Sequence, residues 1–265
     1  MRYINLDQLE LPDGWQASAD AAIADAAVAD EDRKKRDHST VWRNLKQPLK
    51  KLSHDKCYYC EIVQERSDGA VDHFRPKSKY PWSAFNCSNY RFSCTFCNSV
   101  REDKKNGEIG GKGDDFPLFD ETARATCCEG EVNESPILLD PCKPDEPGLI
   151  DFDETGSPIP TYSEEAHAGR NRRATESIKL YHLDHADLVD KRKALAVLIN
   201  REITVADRLF PQTESGNAAI DSSFSDHVRK LASYISEGSE LSAFARRILT
   251  GHRDIVWVES LLRSA

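Results

Sequence analysis

Residues 94–105 read CTFCNSVREDKK: two cysteines spaced by two residues, an asparagine directly after the second, then a run of charges. A Cys-x-x-Cys spacing lets both sulfurs turn toward one metal ion. A second pair, CYYC at Cys57 and Cys60, precedes it with 33 residues between Cys60 and Cys94. Four thiolates in two knuckles surround Zn²⁺ tetrahedrally and leave no open position for a substrate, so the expected zinc is structural. Cys87, Cys127, Cys128 and Cys142 lack knuckle spacing and read as ordinary thiols. His182 and His185 are expected on a helix, in surface or core roles.

The rest of the 265-residue chain sets the context for this module. The start, MRYINLDQLELPDGW, lacks the basic-then-apolar layout of a signal peptide, and the longest apolar run, Ala194 to Ile199, is too short to span a bilayer. With 31% charged residues and a mean hydropathy of -0.62, the expected protein is cytosolic, with no membrane contact. In a reducing compartment its eight cysteines argue for metal ligation or free thiols over a disulfide framework. The net charge of -9 is unevenly spread: Arg43 to Lys105 holds 13 Lys and Arg against 7 Asp and Glu, and Asp114 to Glu154 holds 13 acidic residues against 2 basic ones. A basic module is followed directly by an acidic segment, whose expected role is to dock on a basic partner surface.

Between the knuckles lie VDHFRPKS (71–78) and NYRFSC (89–94). An apolar residue before Asp72 and His73 suggests a short strand ending with both side chains at one mouth, stopped by Pro76. Residues 90–92, YRF, suit a returning strand, and the residues after Cys97 are expected to open a helix. Such a β-β-α unit would gather Asp72, His73 and Asn98.

These residues resemble the HNH, or ββα-metal, nucleases: Cys-x-x-Cys, Asp72-His73, Asn89 five residues before the second Cys-x-x-Cys, and Asn98 directly after its last cysteine. The last position departs from the family name, being Asn instead of His. Lys104 falls where the family often has a lysine. The resemblance implies phosphodiester hydrolysis, with His73 taking a proton from water, Asp72 and Asn98 holding one Mg²⁺ or Mn²⁺, and Asn89 pinning the loop that orients His73. Arg75, Lys77, Lys79, Arg91, Lys104 and Lys105 are then expected to clamp the nucleic-acid backbone, DNA before RNA such as tRNA.

The longer string, with PLFDE and PILLDPCKPDEPGLIDFDETG after it, is similar to the HNH subunit of Septu-type anti-phage systems, including those attached to retrons. That resemblance implies an ABC/SMC-like ATPase as partner. Two other classes compete: a stand-alone restriction-type HNH nuclease, and a zinc module that binds nucleic acid without cleaving it. The expected fold is α+β, a zinc-stapled ββα-metal (HNH) core embedded in a mostly helical protein. Its segments are an N-terminal helical part (1–56), the core (57–106), an acidic loop-rich part with short strands (107–162) and a C-terminal helical region (163–265). Within these, 17–36 reads as an alanine-rich helix and 41–52 as a second one, interrupted by Pro48. In the C-terminal region Leu188, Arg192, Leu195 and Ile199 share one helical face, a further helix stops at Gly251, and another follows it.

Overall fold

The computed structural model describes residues 1–27, 38–64, 69–105 and 107–264. It combines helices with small two-stranded sheets, and its contacts divide the chain into two compact units. The first comprises Met1–Leu149 and Pro160–Leu183, the second Ile150–Ile159 and Asp184–Ala265. Composition cuts the chain by character, whereas packing assigns a helix from the C-terminal region to the first unit and a hairpin from the acidic stretch to the second.

In the first unit, helix α1 (Trp15–Ala27) accounts for the start of the alanine-rich stretch, and positions 28–36 of that expectation lie outside the described residues. The second expected helix is split into α2 (Thr40–Arg43) and α3 (Lys46–Leu52). Pro48 explains the break: in an unbroken helix its ring would strike the carbonyl of Asn44, but in the first turn of α3 its missing N–H costs nothing. Val41, Leu45 and Leu49 are buried together with Trp15, Ala19, Tyr58, Phe85, Tyr90 and Phe92. Two polar handles in this core are satisfied: the Trp15 indole donates to the Val41 carbonyl at 2.7 Å, and the Tyr58 hydroxyl to that of Leu49 at 3.0 Å.

Strands β1 (Ala70–His73) and β2 (Tyr90–Ser93) form an antiparallel hairpin with Val71 opposite Phe92, Asp72 opposite Arg91 and His73 opposite Tyr90. Val71, Phe92 and Tyr90 join the core under α1–α3, so Asp72 and Arg91 project from the other face. Helix α4 (Thr95–Asn98) follows at once. The helix expected after Cys97 does not form. Instead α4 is capped by Cys94 and ends at Asn98, and the chain makes a second hairpin, β3 (Arg101–Glu102) with β4 (Ile109–Gly110). Gly107 at φ 74° sits in its turn, and Gly111 at φ 104° lies so close to Ser99 that a Cβ would stand 2.1 Å from the Ser99 oxygen.

From Gly111 to Pro160 the chain is mostly turns and short 3-10 segments, and helix α5 (Glu164–Leu180) completes the first unit. His182 and His185 fall in the turn after α5, not on a helix: His182 has φ 53°, and His185 caps the next helix through its ring nitrogen.

The second unit holds the hairpin of β5 (Ile150–Phe152) and β6 (Pro158–Pro160) as far as Ile159, with helices α6 (Ala186–Leu209), α7 (Ala218–Ile235), α8 (Ser242–Gly251) and α9 (Val256–Ser264). Its core includes Ile199, Ile203, Leu231, Leu249, Trp257 and Val258. On α6 the expected stripe holds: Leu188, Arg192 and Ile199 are buried, and Leu195 packs against the core. Buried Arg192 donates to the Gly156 carbonyl and lies over the Phe152 ring.

Candidate metal centre and hydrolytic site

The sulfur atoms of Cys57, Cys60, Cys94 and Cys97 all lie within 4.8 Å of one another, and all four residues are buried. Cys60 and Cys94 are 3.8 Å apart, far beyond the roughly 2.05 Å of a disulfide. Tetrahedral zinc with bonds of about 2.3 Å would separate its sulfurs by about 3.8 Å, so the cluster has the right size for that ion. The first knuckle closes through the Glu61 amide donating to the Cys57 carbonyl at 3.0 Å, with Glu61 at φ 62°. The second closes through Cys94, whose sulfur caps α4 by accepting from the Cys97 amide at 3.4 Å. Burial opposes ionisation of Cys57, but hydrogen bonds from Cys60, Cys94 and Cys97 outweigh it and lower its pKa. Those of Cys60 and Cys97 are raised, first by their hydrogen bonds with Cys57. Four thiolates crowded this closely repel one another, so all four ionise together only around a cation.

His73, 8% exposed, is held by its surroundings. Its Nε2 lies 3.0 Å from the Ala84 carbonyl oxygen, and the Trp42 and Tyr90 rings meet it edge-on at 5.2 and 5.1 Å. A carbonyl only accepts, so Nε2 carries the proton and Nδ1 carries the lone pair. Burial, the largest influence, lowers the His73 pKa below the usual imidazole value; the Ala84 bond opposes the shift and Lys77 adds to it. Asn89 fastens the loop that supplies the Ala84 carbonyl. Its amide nitrogen donates to the Arg75 and Ser83 carbonyls at 2.9 and 3.2 Å, and its oxygen accepts from the Arg75 amide at 2.7 Å.

Asp72 leaves β1 on the face opposite His73, because successive strand residues alternate, so the two do not share one mouth. Asp72 is 4% exposed and already engaged: the Tyr59 hydroxyl donates to Oδ2 and the Lys112 ammonium to Oδ1 at 2.8 Å. Burial, followed by the Asp72 charge, pushes the Tyr59 phenol well above its ordinary pKa, which keeps it a donor. Asn98 ends α4, which packs against β1, and its half-buried amide has no hydrogen-bond partner among the described residues. Asp72 and Asn98 each carry an oxygen of the hard kind that Mg²⁺ or Mn²⁺ takes, and on Asp72 only the lone pairs left by Tyr59 and Lys112 are open to a cation.

The basic residues fall into two groups. Lys77, Lys79, Lys104 and Lys105 are exposed, with the Lys77 ammonium 4.5 Å from the centre of the Trp42 ring. Lys104 and Lys105 sit in the turn between β3 and β4. Arg91 and Arg75 are committed inside the protein. Arg91 is 3% exposed and grips Asp140 with two hydrogen bonds of 2.8 and 2.7 Å, so it braces β2 and offers nothing to a phosphate. Arg75 pairs with Glu134 at 3.1 Å and Glu131 at 3.4 Å. Asp140→Ala is expected to leave the Arg91 guanidinium buried without a counter-charge and to destabilise the first unit by about 3–5 kcal/mol, read from the shift in its urea unfolding midpoint.

The residue missed by reading the sequence is Lys112. The β3–β4 hairpin separates it from Asn98 in the chain, yet its backbone amide donates to the Cys97 carbonyl at 2.9 Å. Its only sequence signal was a lysine between two glycines in GKG (111–113), which has no distinctive spacing.

No family model matches the chain. It is similar to a Septu protein PtuB of Bacillus mycoides (strain KBAB4), 32% identical over 181 residues, which cover 63% of this chain and 56% of that protein. It is also similar to a Septu protein PtuB of Bacillus thuringiensis, 36% identical over 67 residues, 24% of this chain and 26% of that protein. The chain therefore matches about half the length of the first relative and a quarter of the second.

Proposed function

We propose that this protein is a metal-dependent HNH-type endonuclease, the effector of a Septu-type anti-phage complex in the cytoplasm. The observation that carries the reading is His73: a buried imidazole with Nε2 spent on the Ala84 carbonyl, leaving Nδ1 to accept a proton, on a strand whose partner β2 leads directly into the four-cysteine cluster at Cys94. Nδ1 takes a proton from water as its oxygen attacks the phosphorus. The bond from phosphorus to the 3′ oxygen then breaks, that oxygen takes a proton from solvent, and His73 returns its own proton to bulk water. Asp72 and Asn98 hold Mg²⁺ or Mn²⁺, which when bound supplies charge neutralisation at the phosphate and the leaving oxygen. The exposed Lys77, Lys79, Lys104 and Lys105 track the phosphate backbone.

One observation favours a second reading, a zinc module that binds without cleaving: Asp72 is buried with both carboxylate oxygens already bonded. The two readings separate when the purified chain is incubated with supercoiled plasmid and with total tRNA, in Mg²⁺, in Mn²⁺ and in EDTA. Cleavage that needs a divalent ion supports the nuclease; binding without cleavage under every condition, ATPase included, leaves the second reading.

The partner in the proposal is an ABC/SMC-like ATPase. Part of the acidic segment is spent internally, since Glu131 and Glu134 hold Arg75, Asp140 holds Arg91 and Glu146 holds Arg173 at 2.7 Å. Asp114, Asp115 and Glu129 remain exposed and are among the charges available for docking. Reversing these three is expected to weaken co-purification with the ATPase and the stimulation of cleavage by it. Full activity of the isolated chain, together with co-purification indifferent to the reversals, would discard the partner.

A further inference from the structure

Lys112 is fully buried, and its ammonium donates to the Asp72 carboxylate at 2.8 Å and to the His73 carbonyl at 2.7 Å. Its own amide bonds the Cys97 carbonyl, and the next amide, that of Gly113, bonds the Asn98 carbonyl at 2.8 Å. One residue therefore ties the end of β1, the end of α4 and the second zinc knuckle to one another. The hairpin between Asn98 and Lys112 makes this closure tight: at Gly111 the backbone returns against Ser99, with no room for a side chain.

A buried ammonium needs a counter-charge and acceptors, and many carboxylates would serve. Here the counter-charge is the very carboxylate assigned to the divalent ion. A unit positive charge in contact with one oxygen of Asp72 repels a second cation at the same carboxylate, and in a site this dry the repulsion is weakly screened. The same ammonium fixes the carbonyl of His73, and with it the strand end from which the imidazole projects.

We propose that Lys112 is a positioning residue of this site: it holds Asp72 and the end of β1 against α4, and its charge sets how weakly the site takes a divalent cation. This rests on the reading of Asp72 and Asn98 as cation ligands. The test is Mn²⁺ binding to the zinc-loaded full chain, followed by the electron paramagnetic resonance signal of free Mn²⁺, in wild type, Lys112→Gln, Lys112→Met and Lys112→Arg. Both neutral variants are expected to bind Mn²⁺ at least tenfold more tightly than wild type while cleaving at least tenfold more slowly at saturating Mn²⁺. Lys112→Arg, which keeps the charge, is expected to stay within about threefold of wild-type affinity. Wild-type binding that does not tighten in a folded neutral variant would overturn the inference and leave the nuclease reading standing. Absence of Mn²⁺ binding in the wild type would overturn the cation site itself and this inference with it. If neither neutral variant retains zinc and secondary structure while Lys112→Arg does, the pair is a structural ion pair only and the inference falls.

Discussion

His73→Ala is expected to lower the rate of phosphodiester cleavage by about 10² to 10⁴, the usual contribution of a positioned general base. The size follows from the geometry: the Ala84 carbonyl fixes Nε2 as the protonated nitrogen, so Nδ1 is the atom left to take the proton from water. An alanine removes that lone pair and with it the proton acceptor. The imidazole is also packed between Trp42 and Tyr90, so its removal leaves a small cavity and a modest loss of stability, of the order of 1–3 kcal/mol. His73→Gln fills more of that space without a base and separates the two effects. Both variants should retain zinc and the helical circular dichroism signal. Full cleavage activity in the folded His73→Gln protein would remove His73 from the mechanism.

The parts of the site that were legible in the sequence are those governed by short spacing. Two Cys-x-x-Cys pairs predict a cluster because two intervening residues make a turn of fixed size, and the four sulfurs do converge. Val71-Asp72-His73 and 90–92 predict paired strands, and the hairpin has them in register. What could not be read depends on contacts between distant residues. Arg91 looked like a phosphate clamp, but its direction is set by strand alternation and its fate by Asp140, 49 positions away. Lys112 reaches Asp72 over 40 positions, and no local pattern encodes that distance. The expected helix after Cys97 failed for a local reason that pointed the other way: β-branched Val100 and the glycines at 107, 110 and 111 favour a hairpin over a helix. The acidic segment was legible as a charge run, yet composition cannot tell an exposed carboxylate from Glu134, which is buried against Arg75 and Tyr80.

Removing the metal is expected to unfold the first unit while leaving the second folded. The hairpin and α4 are short, with four residues in each of β1, β2 and α4, and the cysteine cluster joins them to the chain before β1. Structural zinc is worth about 10–16 kcal/mol of apparent binding free energy, as large as the whole stability of an ordinary domain at about 5–15 kcal/mol. Loss of the ion also leaves a buried cluster of thiols, and Tyr58, next to Cys57, and Phe92, two residues before Cys94, belong to the core shared with α1–α3. Damage at the cluster should therefore spread through that core. The second unit has no cysteine and a hydrophobic core of its own in α6–α9, so nothing in it depends on the ion. The fluorescence of Trp15, Trp42 and Trp82 reports on the first unit and that of Trp257 on the second, which lets single-tryptophan variants follow each separately. After chelation the first unit should lose its native fluorescence and its cooperative melt, while Trp257 and the helical signal of α6–α9 persist. Elemental analysis is expected to find one zinc per chain before treatment and none after it. Folded, active protein that contains no zinc, or a first unit whose melting is unchanged by its removal, would show that the four cysteines are simply buried thiols.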